Sequence, residues 1–193
     1  FLKNFFKEPD IHLVFKDNNS ILKFKDKLVL SSRNSGFLVN KKKVENLSSY
    51  KNGSWWVQDF SSSFPLNNIN NKLIQKKCID ICGAPGGKSF QILAKNKNIV
   101  INDKSKKRLE ILKKNLQRLN FNTNILNLDY RKLNTKEKYD FIIIDAPCSA
   151  IGTIRKNPEI FFRKKEPNFK DLINVQRNML QKTTEIINDG GVI

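Results

Sequence analysis

Residues 78–90 read CIDICGAPGGKSF, and this segment decides the fold that the sequence predicts. The run at residues 77–82 is short, mostly apolar and bounded by polar residues, which is typical of a buried parallel strand. A glycine-rich turn follows at residues 83–87, and residues 88–94 then have the apolar spacing of a helix. The order strand, glycine turn, helix predicts an open α/β sheet, in which ligands bind at the carboxyl ends of the strands.

The glycine turn lacks the spacing of the two common phosphate-binding loops. A Walker A loop requires GxxxxGK[ST], but Cys82 stands five residues before Gly87, and the dinucleotide fingerprint GxGxxG is absent. Glycines let a ligand approach the backbone, and the free N–H groups of the next helix suit a negative charge. The turn therefore favours a nucleoside that carries a carboxylate over a pyrophosphate, with an ordinary turn of an α/β protein as the alternative.

Length and composition limit the class of protein. The 193 residues fit one domain with a small extra piece, and 39% hydrophobic residues, among them 14 Phe, are enough for a core. No apolar run approaches the ~20 residues that span a bilayer, so we expect no membrane partner. Three cysteines form no disulfide framework and indicate a reducing cytoplasm. We expect a monomer.

The net charge of +18, from 36 Lys and Arg against 18 Asp and Glu, predicts a nucleic-acid partner. The excess is spread along the chain rather than confined to one tail. Heavy use of Lys, Asn and Ile, as in an AT-rich genome, is the alternative explanation. No segment pairs a Lys/Arg face with a Trp/Leu face, which disfavours a membrane-surface helix.

The chain divides into a basic front piece, residues 1–52, and a second part, residues 53–193, with the boundary near Gly53. We interpret the front piece as a small α+β platform that contacts RNA, with a structural appendage as the alternative. Local patterns predict strands at residues 11–16, 29–30 and 36–39, a helix at 21–28 capped by Ser20, and a helix at 60–70.

Three further predicted strands each end in a carboxylate. They lie at residues 98–101, 123–128 and 139–144, and the acids that follow them are Asp103, Asp129 and Asp145. Asp103 stands about 20 residues after the first glycine, where an acid reaches the ribose hydroxyls of doubly wound nucleotide sites; a plain helix N-cap is its alternative role. Three acids at one edge predict a nucleoside pocket. The only histidine, His12, lies in the front piece, which disfavours a metal site.

The segment DAPCS at residues 145–149 brings a thiol to the same edge. Cys148 follows a predicted buried strand, and a cysteine thiolate in a polar, partly exposed setting is a strong nucleophile. The alternative is a small buried apolar residue. We expect Cys78 and Cys82 to be such residues, because their CxxxC spacing lacks the second ligand pair of a zinc site.

Four motifs in order, DICGAPGGKS, ND followed by KKRLEILKKNLQRL, the strand end at Asp129, and DAPCSAIGTIRKNPEI, resemble the Sun/Fmu (RsmB-type) RNA cytosine-5 methyltransferases. The resemblance runs from about Trp55 to the end of the sequence, and GTIRKNPEI is most similar to the small-subunit ribosomal RNA branch. It implies a Rossmann-like, S-adenosylmethionine-dependent fold with an RNA-binding piece in front. It also implies Asp103 on the ribose, Asp129 on the adenine side and Asp145 at the reaction centre. The methionine end of the cofactor would be wrapped by Cys82, Gly83, Ala84, Pro85, Gly86, Gly87 and Lys88.

The resemblance leaves two roles open for Cys148. DNA cytosine methyltransferases use the cysteine of a Pro-Cys step as nucleophile, whereas the RNA family uses a later cysteine in a Thr-Cys-Ser segment and its Pro-Cys cysteine assists release. No such segment stands in the given sequence, in which we expect a final helix at residues 171–188, a turn at 189–191 and the opening of a fifth strand. From the start at Phe1-Leu2 and this ending we expect a fragment cut at both ends. Ser149-Ala150-Ile151-Gly152 also departs from the family's commoner Ser-Gly-x-Gly.

Two other classes of function stay open from the sequence. One is a module that binds cofactor and RNA without catalysis. The other is a methyltransferase of the same fold that acts on a small molecule or a protein; the basic front piece and the Pro-Cys step count against it.

Overall fold

Two β-sheets organise the chain, and the computed structural model describes residues 9–40, 42–96 and 98–193. The start of the predicted front piece, residues 1–8, lies outside the described residues. The first sheet has four antiparallel strands in the order β2-β3-β1-β4, and the second has five parallel strands in the order β7-β6-β5-β8-β9.

The first sheet, here the front sheet, is built from β1 (His12–Phe15), β2 (Leu28–Ser32), β3 (Ser35–Leu38) and β4 (Trp55–Val57), with helix α1 (Asn18–Leu22) after β1. The prediction that Ser20 caps a helix at 21–28 is wrong. The carboxylate of Asp17 is the cap, since it accepts the backbone N–H of Ser20 at 2.7 Å, and the helix therefore begins at Asn18.

The front sheet is buried on both faces where it meets the rest of the chain. Trp55 packs into the core of the front sheet, while its neighbour Trp56 packs into the core of the second sheet, because successive strand residues point to opposite faces. In β1, Leu13 likewise packs into the core of the front sheet and Val14 into the core of the second sheet. The front sheet thus continues to Val57, past the predicted boundary near Gly53.

The connection to the second sheet contains helices α2 (Phe60–Asn67) and α3 (Asn71–Ile74) instead of the single predicted helix at 60–70. The Asn68 side-chain amide donates to the Phe64 carbonyl oxygen at 2.7 Å and so ends α2. The Asn70 side-chain oxygen then accepts the backbone N–H of Lys72 at 3.0 Å and begins α3.

The second sheet has the predicted Rossmann-like architecture. Its strands are β5 (Cys78–Asp80), β6 (Ile99–Asn102), β7 (Asn124–Leu126), β8 (Tyr139–Ile143) and β9 (Ile187–Val192), and its helices are α4 (Gly87–Leu93), α5 (Lys106–Arg118) and α6 (Phe169–Thr184). Strand β5 lies at the centre, so the glycine turn after it opens at the middle of the carboxyl edge.

The leucines that recur at helical spacing in KKRLEILKKNLQRL are buried in the structure, at Leu109, Leu112, Leu116 and Leu119. Helix α6 buries Met179 and Thr183, whereas Leu180, the residue after Met179, is 52% exposed. None of the helices in the described ranges combines the length and the apolar character that a membrane crossing requires.

The predicted turn at residues 189–191 is wrong, because these residues lie inside β9. Tyr139 pairs with Ile187 and Phe141 pairs with Val192, so the extra residues form a bulge opposite β8. Asp-Gly-Gly keeps a turn-like backbone inside this bulge, with Gly190 at a φ of +71°, while the residues on either side of the bulge pair with β8.

Candidate functional site

The glycine turn approaches its surroundings too closely for larger residues. Gly86, with a φ of +120°, precedes the first residue of α4, and a Cβ there would lie 2.0 Å from Cζ of Phe90. A Cβ at Gly83 would lie 2.6 Å from Cγ2 of Ile101 and 2.9 Å from Oγ of Ser89. The turn is therefore held against the strand edge and the helix by contacts that only glycine permits.

A cavity of about 400 Å³ opens at this turn, and we call it the glycine-turn cavity. Seven residues predicted for the site line it: Cys82, Gly83, Ala84, Pro85, Gly87, Lys88 and Asp145. Its opposite wall comes from the front sheet and the residue after it, at Trp55, Trp56, Val57 and Gln58, which sequence reasoning did not assign to the site. The only signal for this wall was the position of GSWWVQD directly before the predicted helix.

Asp80, at the end of β5, is the most perturbed acid of the cavity and was missed by the sequence analysis. The carboxyl is 1% exposed; Ser89 Oγ donates to Oδ2 at 2.7 Å, while Oδ1 has no hydrogen-bond partner among the described residues. Burial raises the pKa of Asp80 to about 7, against the opposing effect of the Ser89 hydrogen bond. An acid inside a predicted buried strand was the signal that could have found it.

Asp103 is not the N-cap of α5, the alternative role considered for it, because that position is held by Ser105, whose side chain accepts the backbone N–H of Arg108. Oδ1 of Asp103 accepts the backbone N–H of Ser105 at 2.8 Å, directly before α5, so the acid orders the start of that helix. Its Oδ2 lies 3.1 Å from Nη1 of Arg108 as an ion pair, without the alignment of a hydrogen bond. Because Asp103 is 2% exposed, Oδ2 is a buried acceptor with no hydrogen-bond partner among the described residues.

Arg108 is a second residue that the sequence analysis missed. Besides facing Asp103, its guanidinium donates to the carbonyl oxygen of Ala84 and so links α5 to the glycine turn. Arg108 also lines the glycine-turn cavity. Arg108 stands five residues after Asp103 in the sequence, but only the folded helix shows that this residue of the first turn of α5 faces Asp103.

The other two strand-end acids differ in their surroundings. Asp145 is paired with Lys88, whose Nζ lies 2.6 Å from Oδ2, and this pair joins the end of β8 to the glycine turn. Asp129 is not part of the cavity lining. Its two oxygens accept hydrogen bonds from Nε and Nη2 of Arg131, both at 2.8 Å, which lowers the pKa of Asp129 to about 2.

Cys148 lies in an exposed loop whose backbone is held on both sides. The Gln176 side-chain amide donates to the Pro147 carbonyl oxygen at 2.9 Å, and Nη1 of Arg163 donates to the Ser149 carbonyl oxygen at 2.8 Å. The backbone N–H of Ala150 donates to Sγ of Cys148 at 3.4 Å. This contact orients the exposed sulfur within the loop.

The other two cysteines are in apolar surroundings. Cys78 is buried, Cys82 is half-buried, and burial raises the pKa of each thiol to about 11. Both are therefore protonated thiols at neutral pH. Within residues 9–40, 42–96 and 98–193, no group of three or more His, Cys, Asp or Glu side chains could hold a metal ion.

Asp80 gives the protein a predicted pH dependence of stability. An unfolded Asp titrates near pH 4, so between about pH 4 and 7 the folded state binds more protons, and the free energy of unfolding falls as the pH rises. The total fall is roughly 4 kcal/mol, at about 1.4 kcal/mol per unit. We expect Asp80→Asn to remove this fall, measured by urea unfolding of the cofactor-free protein at pH 4, 5.5 and 7.5. A variant as pH-dependent as the wild type would contradict the prediction.

Solved structures share the fold of this chain. A methyltransferase homolog protein from Pyrococcus horikoshii superimposes with a TM-score of 0.77 at 20% identity, over 98% of this chain and 65% of that one. NSun6 from Pyrococcus horikoshii, solved with SFG, matches with a TM-score of 0.65 at 25% identity, over 79% of this chain and 40% of that one. The predicted Rossmann-like methyltransferase fold is thereby confirmed.

Curated relatives are similar in sequence. Ribosomal RNA small subunit methyltransferase B of Shewanella oneidensis is 32% identical over 164 residues, which cover 81% of this chain and 37% of that protein. Probable ribosomal RNA small subunit methyltransferase B of Bacillus subtilis is 32% identical over 151 residues, covering 75% of this chain and 34% of that protein. The chain thus spans about a third of the length of these relatives.

A family model described as 16S rRNA methyltransferase RsmB/F matches residues 66–193, a range that contains the glycine turn, the three strand-end acids and Cys148. The cofactor of this family is S-adenosylmethionine, as the sequence resemblance implied. The chain therefore belongs to the 16S rRNA methyltransferase RsmB/F family.

Proposed function

We propose that this protein methylates C5 of a cytosine in RNA, with S-adenosylmethionine as methyl donor and small-subunit ribosomal RNA as substrate. The observation that carries the proposal is the Lys88–Asp145 pair, which joins the glycine turn to the strand end three residues before Cys148. Through this pair, the cavity for a cofactor and the loop with the exposed thiol share one edge of the sheet. The names of the curated relatives support ribosomal RNA of the small subunit as the substrate.

The glycine turn and the strand-end acids fit the proposed cofactor, although Asp103 and Asp129 are not among the residues that line the glycine-turn cavity. Gly83 and Gly86 leave the backbone of the turn open to close approach by a ligand, at positions that a Cβ would fill. Oδ2 of Asp103 is a buried acceptor of the kind that the hydroxyl pair of a ribose satisfies. Asp129, whose carboxylate is oriented by Arg131, is the proposed contact on the adenine side. When bound, S-adenosylmethionine supplies an electrophilic methyl group.

The chemistry of cytosine explains the need for a thiol and an acid. C5 of cytosine is a poor nucleophile. Addition of a thiolate to C6 breaks the C5=C6 double bond, and C5, C4 and N4 then form an enamine that attacks an electrophile through C5. We assign Asp145 to the N4 amino group of the base, from which its carboxylate accepts a hydrogen bond and so stabilises the positive charge that develops on N4 as C5 attacks an electrophile. Lys88 holds Asp145 in place for this role.

Release of the product requires loss of the C5 proton, after which the electron pair of the C5–H bond expels the thiolate from C6. By family resemblance, the attacking thiol belongs to a later Thr-Cys-Ser segment, and Cys148 assists this release. The exposure of Cys148 and the N–H of Ala150 on its sulfur support a role as proton acceptor.

The proposed function predicts methyl transfer to cytosine by the full-length protein. We expect incubation with small-subunit ribosomal RNA and methyl-labelled S-adenosylmethionine to yield labelled RNA, with 5-methylcytosine located by bisulfite sequencing. An Asp145→Asn variant is the matched control and is expected to transfer at least 100-fold more slowly, about the loss caused by removing one charge-stabilising group. Methyl groups on another base or on protein would contradict the proposal. Binding of cofactor and RNA without transfer would favour the non-catalytic module.

A further inference from the structure

A second cavity, separate from the glycine-turn cavity, lies beside Cys148, and we call it the cysteine cavity. Its volume of about 310 Å³ is at the lower end of the range for small-molecule pockets. Cys148 and Ser149 form one side, and the cations Arg163 and Lys165 form another, while Asp171 contributes an acid. Asp171 is held by Asn168, whose amide donates to the carboxylate at 2.7 Å. Two cations next to the proposed reaction centre suit the phosphates of a nucleic acid.

The ring of Phe162 stands directly before these cations in the sequence FFRKK at residues 161–165. Phe162 is 82% exposed, and single exposed apolar side chains are common on protein surfaces. A ring followed by three consecutive cations is a more specific arrangement, because proteins bind single-stranded nucleic acid by stacking bases on aromatic rings while cations track the backbone. Phe162 does not itself line the cysteine cavity, but Arg163, the next residue, and Lys165 do, so the ring is one residue away in the chain from the lining of the cavity.

The segment that carries Phe162 is fixed to the site rather than free. Phe162 is the last residue of the 3₁₀ helix Pro158–Phe162. The next residue, Arg163, donates to the carbonyl oxygen of Ser149 in the Cys148 loop. Before this 3₁₀ helix, Lys156 forms an ion pair with Asp59, the residue that caps α2. Because the segment is held on both sides of Phe162, its backbone loses little conformational freedom when the exposed ring stacks on a base.

We propose that Phe162 is a stacking platform for the nucleotide adjacent to the target cytosine, and that Lys165 contacts the phosphate that follows it. This inference rests on the proposed function and adds the substrate class: the enzyme takes its cytosine from an unpaired stretch of RNA, because a base in a duplex has no free face for the ring. Recognition of unpaired bases by stacking is the usual route to RNA sequences.

The inference is tested by binding of a cytosine-containing single-stranded oligoribonucleotide to the full-length protein, without methyl transfer. We expect Phe162→Ala to weaken binding by about 5- to 150-fold, the range for loss of one stacked base. Phe162→Leu is expected to weaken binding equally, because it keeps apolar bulk without a ring, whereas Phe162→Tyr and Phe162→Trp retain it. Phe64→Ala is the matched control, since Phe64 is a 52% exposed ring on α2, and it is expected to bind as the wild type does.

Two further measurements test the same inference: the salt dependence of binding, and binding to duplex RNA. We expect Lys165→Gln to reduce the slope of log K against log salt by about 0.7, the value for one phosphate on a single strand. Annealing the oligoribonucleotide to its complement is expected to remove the effect of Phe162→Ala. Wild-type binding by Phe162→Leu, or equal losses on single strand and duplex, would overturn the inference. These results are independent of methyl transfer, so failure of the platform and failure of the proposed function are distinguishable.

Discussion

A Gly86→Ala variant is expected to bind S-adenosylmethionine at least 30-fold more weakly than the wild type and to be less stable. At a φ of +120°, an L side chain strains the backbone by about 1–3 kcal/mol. The added Cβ would also meet Cζ of Phe90 at 2.0 Å, and overpacking of a core costs about 1–3 kcal/mol. Phe90 is 2% exposed and has no free space to enter, so the turn itself must shift away from its binding geometry. Titration calorimetry and thermal unfolding measure the two losses.

Gly190→Ala is the matched control for this prediction. Gly190 also has a positive φ, +71°, but a Cβ there would meet no atom within 4 Å. The control therefore carries the backbone strain without the clash, and it lies in the bulge of β9 rather than in the turn. We expect it to bind cofactor as the wild type does. Wild-type affinity in Gly86→Ala would show that the turn does not hold the cofactor. If Gly86→Ala does not fold, Asp103→Asn tests cofactor binding at the proposed ribose contact instead.

The strands of the second sheet could be predicted because each is a short apolar run between polar residues. The ends of strands β5, β6, β7 and β8 all lie within two residues of the predicted ends. Helix α5 could be predicted because its leucines recur at helical spacing, and burial of that stripe against the sheet is the main source of its stability. These patterns are local in the sequence, so no knowledge of distant contacts was needed.

The remaining errors arise where distant residues decide the local structure. The Asp-Gly-Gly segment at residues 189–191 is predicted as a turn before a strand, but it forms a bulge within the strand, because Ile187 before it and Val192 after it both pair with β8. Trp55 and Trp56 lie in the front sheet, where Trp55 packs into the core of that sheet and Trp56 into the core of the second sheet. The sequence around Gly53 does not reveal these two packing partners. In both cases tertiary packing determined the outcome.

Part of the candidate site could likewise be predicted from the sequence, and part depends on the folded structure. The glycine turn and the strand-end acids are visible in the sequence, because strand ends of a parallel sheet share one edge. The perturbed acid Asp80 depends on Ser89, nine residues later, and on complete burial, which only the fold provides. The contact of Arg108 with Ala84 likewise joins a helix to a turn 24 residues away. Such pairings require three-dimensional positions.

The Cys148 loop shows how the structure refines a role that the sequence left open. Its backbone carbonyls at Pro147 and Ser149 are held by side chains from outside the loop, so the position of the thiol does not depend on the thiol itself. Cys148→Ala should therefore preserve the loop and remove only the sulfur. This makes the variant a clean test of chemistry rather than of folding.

Replacing Cys148 by Ala in the full-length protein is expected to trap a covalent adduct with RNA. If Cys148 assists release, as the family resemblance implies, the later cysteine still adds to C6 and C5 is still methylated. Loss of the C5 proton then lacks its acceptor, and turnover should fall by about 10²- to 10⁴-fold, the usual contribution of a positioned proton acceptor. The adduct would survive denaturing gel electrophoresis and would carry the methyl label.

The control and the alternatives give three separate outcomes in that gel. Cys78→Ala removes a buried thiol whose pKa is about 11, and it is expected to form no lasting adduct and to turn over normally once folded. If Cys148 were instead the nucleophile, as in the DNA enzymes, Cys148→Ala would form neither adduct nor product. A merely structural Cys148 would leave turnover near that of the wild type. Only a trapped, methylated adduct agrees with a role of Cys148 after methyl transfer. If Cys148, whose sulfur accepts the N–H of Ala150, acted before transfer, its loss would prevent the adduct from forming.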